Sequence, residues 1–558
     1  MQFAHRLLAG ALALSMLSFP AHAVDRSAAA RRAQLERVVS MLSESHPDLY
    51  AHVSREAFAA KRASIAQNAA SWDDFGFALE VQSLTAMVGD AHTALSLPVD
   101  STQALPFQIA WMDGGWVVTA VPAAQRVCLG WQVEGIAGKS IASVERALAP
   151  YLSYDNETRR RRMFSSVVSL RGVLVHAGVL SESADAVALQ VVSPSGLRRT
   201  ATLPLRADEV CTLSALRRAI PVTEYDPNVI YKAFDLVPYT LYIQYNACKE
   251  DENYPMATFA ADVRSKLARG SYARVIVDLR ANGGGSDGVL RPVINALIAA
   301  QQRGVAVYVL VGEGTFSAAV TGAVQLAQLG AVSVGTPTGG SVDHFGSVVR
   351  QALPDGTRLS CSTQWIALSS YYQAARSFGA DSLTPALSAP QPVDDYLAGV
   401  DRPVARVLAQ PDRLPARTAA ATATGAIFTV DGNKSALTGV RIGGAVYVRL
   451  RDLAAALRGT KAAFDVAWSA RDSAVYVFDG QPYLPVGGEL TPVAGGTAVA
   501  ADTPILRGDT QPLAYSGAPG ALRVYDLRGS HFVRLTDLAA KLGFSVEVRG
   551  NPVRITTE

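Results

Sequence analysis

Between residues 230 and 400 the chain alternates short apolar runs with amphipathic stretches, and this alternation limits the fold more than any other feature. The runs are Leu241-Tyr242-Ile243, Val275 to Leu279, Val305 to Val311 and Val332-Ser333-Val334; helical spacing falls near 256–268, 288–302 and 317–329. A strand that is apolar on both faces must be covered on both, and the helices between strands supply the cover. Residues 226–402 therefore predict an α/β core with a largely parallel sheet.

The flanks differ in character. Ala28 to Leu42 and Arg55 to Leu84 place apolar residues three and four apart, with Asp73 and Asp74 near a helix start, which predicts a helical domain over 24–100. Over 101–225, runs such as Phe107 to Trp111, Trp116-Val117-Val118 and Leu189 to Val192 alternate with turns, predicting a small, mostly β module with a helix near 143–150. Residues 403–424, rich in Pro, Ala and Thr, read as a linker. Residues 425–558 hold a diverged repeat: Tyr447-Val448-Arg449-Leu450-Arg451-Asp452-Leu453-Ala454-Ala455-Ala456-Leu457 recurs 85 residues later as Phe532 to Leu542. A strand, a short helix and a strand per copy give a compact α+β module whose polar positions carry no nucleophile–base pair. The fold class is multidomain α+β and α/β.

Residues 1–23 read as an export signal. His5 and Arg6 precede the apolar run Leu7 to Phe19, and Ala21-His22-Ala23 is a small-x-small cleavage site. The run is shorter than the ~20 residues needed to span a bilayer, and no later stretch reaches that length. The mature chain is expected to be exported, to the periplasm or beyond, without a membrane span. A net charge of +3 from 51 basic and 48 acidic side chains argues against a nucleic-acid binder. Cys128, Cys211, Cys248 and Cys361 form no C-x-x-C pair, so neither zinc nor a redox motif is expected; their disulfide pairing, or its absence, stays open.

Chemistry concentrates at two turns of the core. Gly312-Glu313-Gly314-Thr315-Phe316-Ser317-Ala318-Ala319 leaves a buried strand and opens a helix. A serine there exposes its hydroxyl beside the unpaired N–H groups and positive end of a helix start, the arrangement an acyl-transfer nucleophile needs, with the Ala318 N–H as oxyanion donor. Ser317 as a plain N-cap is the other reading. Asp278-Leu279-Arg280-Ala281-Asn282-Gly283-Gly284-Gly285 leaves the preceding strand, and its glycines let a backbone N–H approach a ligand, so Gly283 and Gly284 are candidates for the second donor.

These turns resemble the C-terminal (tail-specific) processing serine peptidases, in their secreted, tricorn-like branch. The resemblance spans residues 35–405 and rests also on His46-Pro47-Asp48-Leu49-Tyr50, Gly89-Asp90-Ala91-His92-Thr93, Tyr242 to Asn246, Gly335 to Gly340 and Asp394 to Gly399. It implies a crotonase-like catalytic core, a PDZ-like module before it and a serine peptidase acting on polypeptides, with no cofactor. Much of the family uses a lysine about two dozen residues after the serine. This chain has none between Lys266 and Lys434, and Ser341 stands near that place. The tricorn-like branch resembles a Ser/His arrangement instead, which makes His92 the base and leaves a carboxylate, here Asp381, to orient it. Asp90 is set aside because it lies so close in sequence. His344 is the rival base or a substrate contact, as is Ser341. The tail repeat resembles the module at the N-terminus of copper amine oxidases, which implies a stalk or a contact with cell wall or envelope polymer, without metal. The leading expectation is a serine endopeptidase. A non-catalytic peptide- or envelope-binding protein and acyl transfer to a non-peptide substrate are the alternatives.

Overall fold

The computed structural model describes residues 27–98, 104–412, 418–469 and 474–557, apart from 502, 504, 508–521 and 523. The expected export segment lies outside the described residues. The chain divides into two compact units.

The first unit comprises the chain up to Pro221 together with Gly339–Ile366 and Pro390–Arg402. Its N-terminal helices are Ala28–Ser45, Arg55–Gln67 and Asp74–Ala86, opened by side-chain caps from Ser27, Ser54 and Asp73 respectively. The Asp73 cap is why the apolar pattern over 55–84 forms two helices and not one. The third helix is buried on two faces. Phe77, Ala78, Val81 and Leu84 join the helical core, while Phe75 and Leu79 join the core of the β module.

The hairpin Asp343–Ala352 and Arg358–Ala367 belongs with these helices, not with the α/β sheet that the 226–402 boundary assigns it to. Leu353, Leu359 and Cys361 fill the helical core, and the strand Ala94–Leu95 pairs with the hairpin through Ala94↔Ser360 and Leu95↔Leu359. Pairing between strands so far apart in sequence leaves no local trace, which is why periodicity missed it.

The β module is a seven-stranded antiparallel sheet, ordered Gln108–Met112, Gly115–Pro122, Gln132–Ile136, Ala186–Val192, Arg198–Pro204, with Lys139–Ser140 and Val210–Thr212 on its margins. The helix Ile141–Leu148 matches the one expected near 143–150. A second helix, Glu157–Val167, was not expected, because its Arg159 to Arg162 run hides any apolar period. It buries Phe164, sets Arg161 over the Trp111 ring at 3.8 Å and pairs Arg160 with Glu157 and Glu145.

The second unit comprises Val222–Thr338, Ala367–Ala389 and the chain from Pro403. Its six-stranded sheet runs Leu387–Ser388, Val332–Gly335, Ala306–Val311, Arg274–Asp278, Thr240–Tyr245, Tyr231–Val237. The first five are mutually parallel, and Tyr231–Val237 is an antiparallel edge. The crossover helices Met256–Arg269, Arg291–Gln302 and Ala318–Gln328 lie where the sequence places them.

Residues 403–424 are not a plain linker. Arg402–Leu408 is a helix that buries Val404 and Val407 in the core, and Thr418–Ala423 is a strand. That strand joins a closed six-stranded barrel with Gly439–Ile442, Ala445–Arg449, Ser530–Arg534, Val524–Leu527 and Gly496–Ala500. Closure pairs the backbone of a segment whose Ala/Thr composition gives no strand signal of its own. The two repeat copies meet as neighbouring antiparallel strands of the barrel. Tyr447 pairs with Arg534, Val448 with Val533 and Arg449 with Phe532, so Val448 and its repeat equivalent face each other across a local twofold axis. Each copy then carries its short helix, Leu450–Ala456 or Leu535–Leu542, opened by an Arg–Asp ion pair three residues apart.

Candidate active site

The strand Ala306–Val311 ends at the Gly312–Phe316 turn, and the helix Ala318–Gln328 starts directly after Ser317. Ser317 has φ 55° and ψ −129°. A non-glycine residue held there stores on the order of 1–3 kcal/mol of backbone strain. It occupies the N-cap position, yet its side chain makes no capping hydrogen bond. The N-cap reading therefore does not account for a serine at this place, whose side chain is half-buried.

The glycine turn is fastened to the serine turn. Thr315 Oγ1 donates to the Leu279 carbonyl at 2.9 Å and accepts from the Gly312 N–H at 3.1 Å, and the Phe316 N–H donates to the Asn282 carbonyl at 3.1 Å. At the root of the turn, Asp278 accepts from the Tyr242 hydroxyl and from the Arg280 backbone and guanidinium. Burial opposes the charge on Asp278, but Arg280 and Tyr242 hold its carboxyl below the usual range. Gly284 has φ +97°, and a β-carbon there would fall 2.7 Å from the Ser317 β-carbon and 3.1 Å from the Ala318 nitrogen. The two turns thus converge within one unit.

One expectation is corrected. The Gly284 N–H is not available to a substrate, because it donates to Asn282 Oδ1 at 2.9 Å. Among the described residues, the N–H groups of Gly283 and Ala318 have no hydrogen-bond partner. These two are the candidate oxyanion donors.

His92, His344 and Ser341 lie together in the first unit. The imidazoles of His92 and His344 stack, with ring centroids 5.4 Å apart and planes 13° from parallel. Burial, and then the neighbouring His92, push the His344 pKa down to about 4. So low a pKa leaves His344 a poor proton acceptor at neutral pH. Asp90 does reach His92 despite its closeness in sequence: Oδ1 lies 3.8 Å from His92 Nδ1 and accepts the His92 backbone N–H at 2.8 Å. Its Oδ2 accepts from Thr93 Oγ1 at 2.5 Å and Ser362 Oγ at 2.6 Å and lies 3.4 Å from His46 Nε2. Burial alone would raise the Asp90 pKa, but His46, His92 and Ser362 hold it well below the usual carboxylate range. Asp381 is exposed. Within the first unit, Asp90 is the carboxylate in ion-pair distance of the His92 ring.

Ser341 is clamped. Asn156 Nδ2 donates to Ser341 Oγ at 3.0 Å and to the Gly339 carbonyl at 3.2 Å, while Asn156 Oδ1 caps the helix Glu157–Val167. Next to it is a group the sequence reading missed. Asp155 has a buried Oδ2 without a hydrogen-bond partner. Burial, with Asp90 adding and His92 opposing, pushes its carboxyl up to about 6. A lone Asp before an N-cap Asn gives no sequence signal for this. His176 bonds Glu80 at 2.7 Å, with Lys61 on the other Glu80 oxygen at 2.6 Å. All four cysteines are free thiols. Among the described residues no cluster of three or more His, Cys, Asp or Glu is placed to hold a metal ion, and no helix is long and apolar enough to cross a membrane.

No family model matches the sequence, and no curated protein matches it significantly. Solved structures do. Mature CPAF complexed with lactacystin aligns at TM-score 0.50 and 12% identity, over 68% of this chain and 97% of that one. The photosystem II D1 C-terminal processing protease aligns at TM-score 0.31 and 14% identity, over 67% of this chain and 98% of that one. Tricorn protease aligns at TM-score 0.34 and 15% identity, over 68% of this chain and 36% of that one. At such identities the CPAF match shows a shared mixed α+β fold, and the two lower scores carry no further weight.

Proposed function

We propose that this chain is an exported serine endopeptidase that cleaves polypeptides through an acyl-enzyme. Ser317 Oγ attacks the peptide carbonyl carbon, and its proton passes to a histidine. The carbonyl oxygen becomes an oxyanion held by the Gly283 and Ala318 N–H groups. The C–N bond then breaks as the imidazolium returns the proton to the leaving amine, and water repeats the sequence on the ester.

The observation that carries this reading is Ser317 itself: a strained serine at a helix start, its hydroxyl not spent on capping, with the glycine turn against it. The base is assigned to His92. The core offers no lysine between Lys266 and Lys434, and burial leaves His344 a poor proton acceptor. Asp90 holds the backbone and faces the ring of His92, the role first expected of Asp381. For the tail module we propose a contact with cell wall or envelope polymer, on the strength of its repeat alone.

A fluorophosphonate probe tests the reading. It should label the wild type and not Ser317→Ala, and His92→Ala should lower peptide turnover by about 10³-fold or more. Equal labelling of wild type and Ser317→Ala would refute Ser317 as the nucleophile. Loss of turnover in His344→Ala but not in His92→Ala would move the base to His344.

A further inference from the structure

Asn282 is fully buried, and none of its amide is idle. Nδ2 donates to the Tyr245 carbonyl at 3.0 Å, at the end of the neighbouring strand. Oδ1 accepts the Gly284 N–H at 2.9 Å and the Cys248 thiol at 3.4 Å. Its backbone carbonyl accepts from Phe316, next to Ser317, at 3.1 Å. Around it the backbone is drawn in further: Cys248 N–H donates to the Gly284 carbonyl at 3.0 Å, and Ser286 N–H to the Cys248 carbonyl at 2.7 Å. One side chain thus ties three segments, the strand end at Tyr245, the loop at Cys248 and the glycine turn, and its own main chain ties a fourth, the serine turn.

We propose that Asn282 is a positioning residue for the serine chemistry. By taking the Gly284 N–H for itself, it turns the glycine loop so that Gly283 presents the second oxyanion donor and Gly284 seats against Ser317. The inference rests on Ser317 being the nucleophile. It adds the residue that decides which of the glycines serves the substrate, and it acts through Gly283 without touching the reacting atoms.

The physical argument is selection between neighbours. In a run of three glycines the backbone has many accessible conformations, and several N–H groups could rotate toward the cleft. Ordering such a run costs conformational entropy of roughly 1–2 kcal/mol per residue. Oxyanion stabilisation works only if the donor is already aimed when charge develops. A buried amide whose acceptor and donor are both engaged fixes the loop before substrate arrives, and among the described residues no other side chain is bonded to the Gly284 N–H.

The test uses the full chain as wild type, Asn282→Ala, Asn282→Asp and Ser317→Ala, each with its thermal melt measured. Labelling by a fluorophosphonate is followed over probe concentration, to separate the limiting rate from the half-saturating concentration. The expected result is a fall of about 100-fold in the limiting rate for Asn282→Ala, the scale of one lost oxyanion donor, with half-saturation nearly unchanged. Asn282→Asp keeps an oxygen for the Gly284 N–H and should retain a larger share of the limiting rate. Should the alanine variant fail to fold, the aspartate variant decides alone: a limiting rate reduced less than that of a folded Gly284→Ala supports the proposal, and an equal one opposes it. A folded Asn282→Ala that labels at the wild-type limiting rate, or whose loss lies wholly in half-saturation, overturns it. Failure of the wild type to label more than Ser317→Ala overturns the nucleophile, and this inference with it, which separates the two failures.

Discussion

Gly284 lies so close to Ser317 that a β-carbon on the glycine would sit 2.7 Å from that of the serine and 2.7 Å from the Phe316 carbonyl oxygen. Both neighbours belong to a turn already bonded to the glycine loop, so neither yields as the tip of a long side chain would. The φ of +97° adds a second penalty for any side chain. Gly284→Ala should therefore push the two turns apart. The expected outcome is a loss of labelling at Ser317 by about 100-fold or more, alongside a stability cost of roughly 1–3 kcal/mol. Wild-type labelling in a folded Gly284→Ala would mean that the convergence of the turns has no part in reactivity.

The strain at Ser317 predicts an effect of the opposite sign. If φ 55° is held for function, removing the β-carbon should relieve it. Ser317→Gly is expected to be more stable than Ser317→Ala by about 1 kcal/mol, after the glycine's extra unfolded-state entropy is subtracted. The melting temperature should differ by about 2–4 °C, and neither variant should label. Equal melting temperatures would show that the turn accepts a side chain without strain.

The sequence foretold what short-range patterning records. Buried strands such as Val275 to Leu279, the helix after Ser317 and the glycine turn are written in runs and spacings, and all are found where expected. Pairings between distant segments were not legible. Nothing local in Arg358–Ala367 shows that it completes the helical core through Leu359, and nothing in Thr418–Ala423 shows that barrel closure makes it a strand. Residue types could nominate Ser317, His92 and Gly283 as candidates. They could not show that Asn282 consumes the Gly284 donor, or that Asp155 is buried with an orphan oxygen, because both depend on which atoms burial brings together.

Glu80 should set part of the acid stability of the first unit. Burial would raise its pKa, but hydrogen bonds from His176 and Lys61 draw it down from 4.5 to about 2. A carboxyl whose folded pKa is depressed stabilises the fold above its unfolded pKa and loses that contribution as pH falls toward the folded value. The window is therefore from about 4.5 down to about 2. Glu80→Gln should cost on the order of 2 kcal/mol at pH 7, less than the full shift implies because Lys61 is partly exposed. The cost should shrink steadily below pH 4.5. Thermal melts of both proteins across this range check it, and a cost that does not change with pH would locate the effect in packing.

Asp155 makes the reverse case, and its sign can be worked out in the same way. Burial pushes its carboxyl from 3.8 up to about 6. A raised folded pKa means that the fold favours the protonated form, so its stability is fully present below 3.8 and is lost as pH rises through about 6. At pH 8 the ionised group is a net burden, with Oδ2 buried and unpaired. Asp155→Asn keeps the shape and removes the charge, so it should raise stability by on the order of 1–3 kcal/mol at pH 8 and change little at pH 3.5. A destabilising carboxylate beside the His92–Asp90 pair is the kind of liability a protein retains for activity. The stabilised variant is accordingly expected to turn over peptide more slowly than the wild type. Equal stabilisation at both pH values would rule out ionisation as the cause, and full activity in the variant would reduce Asp155 to a structural burden.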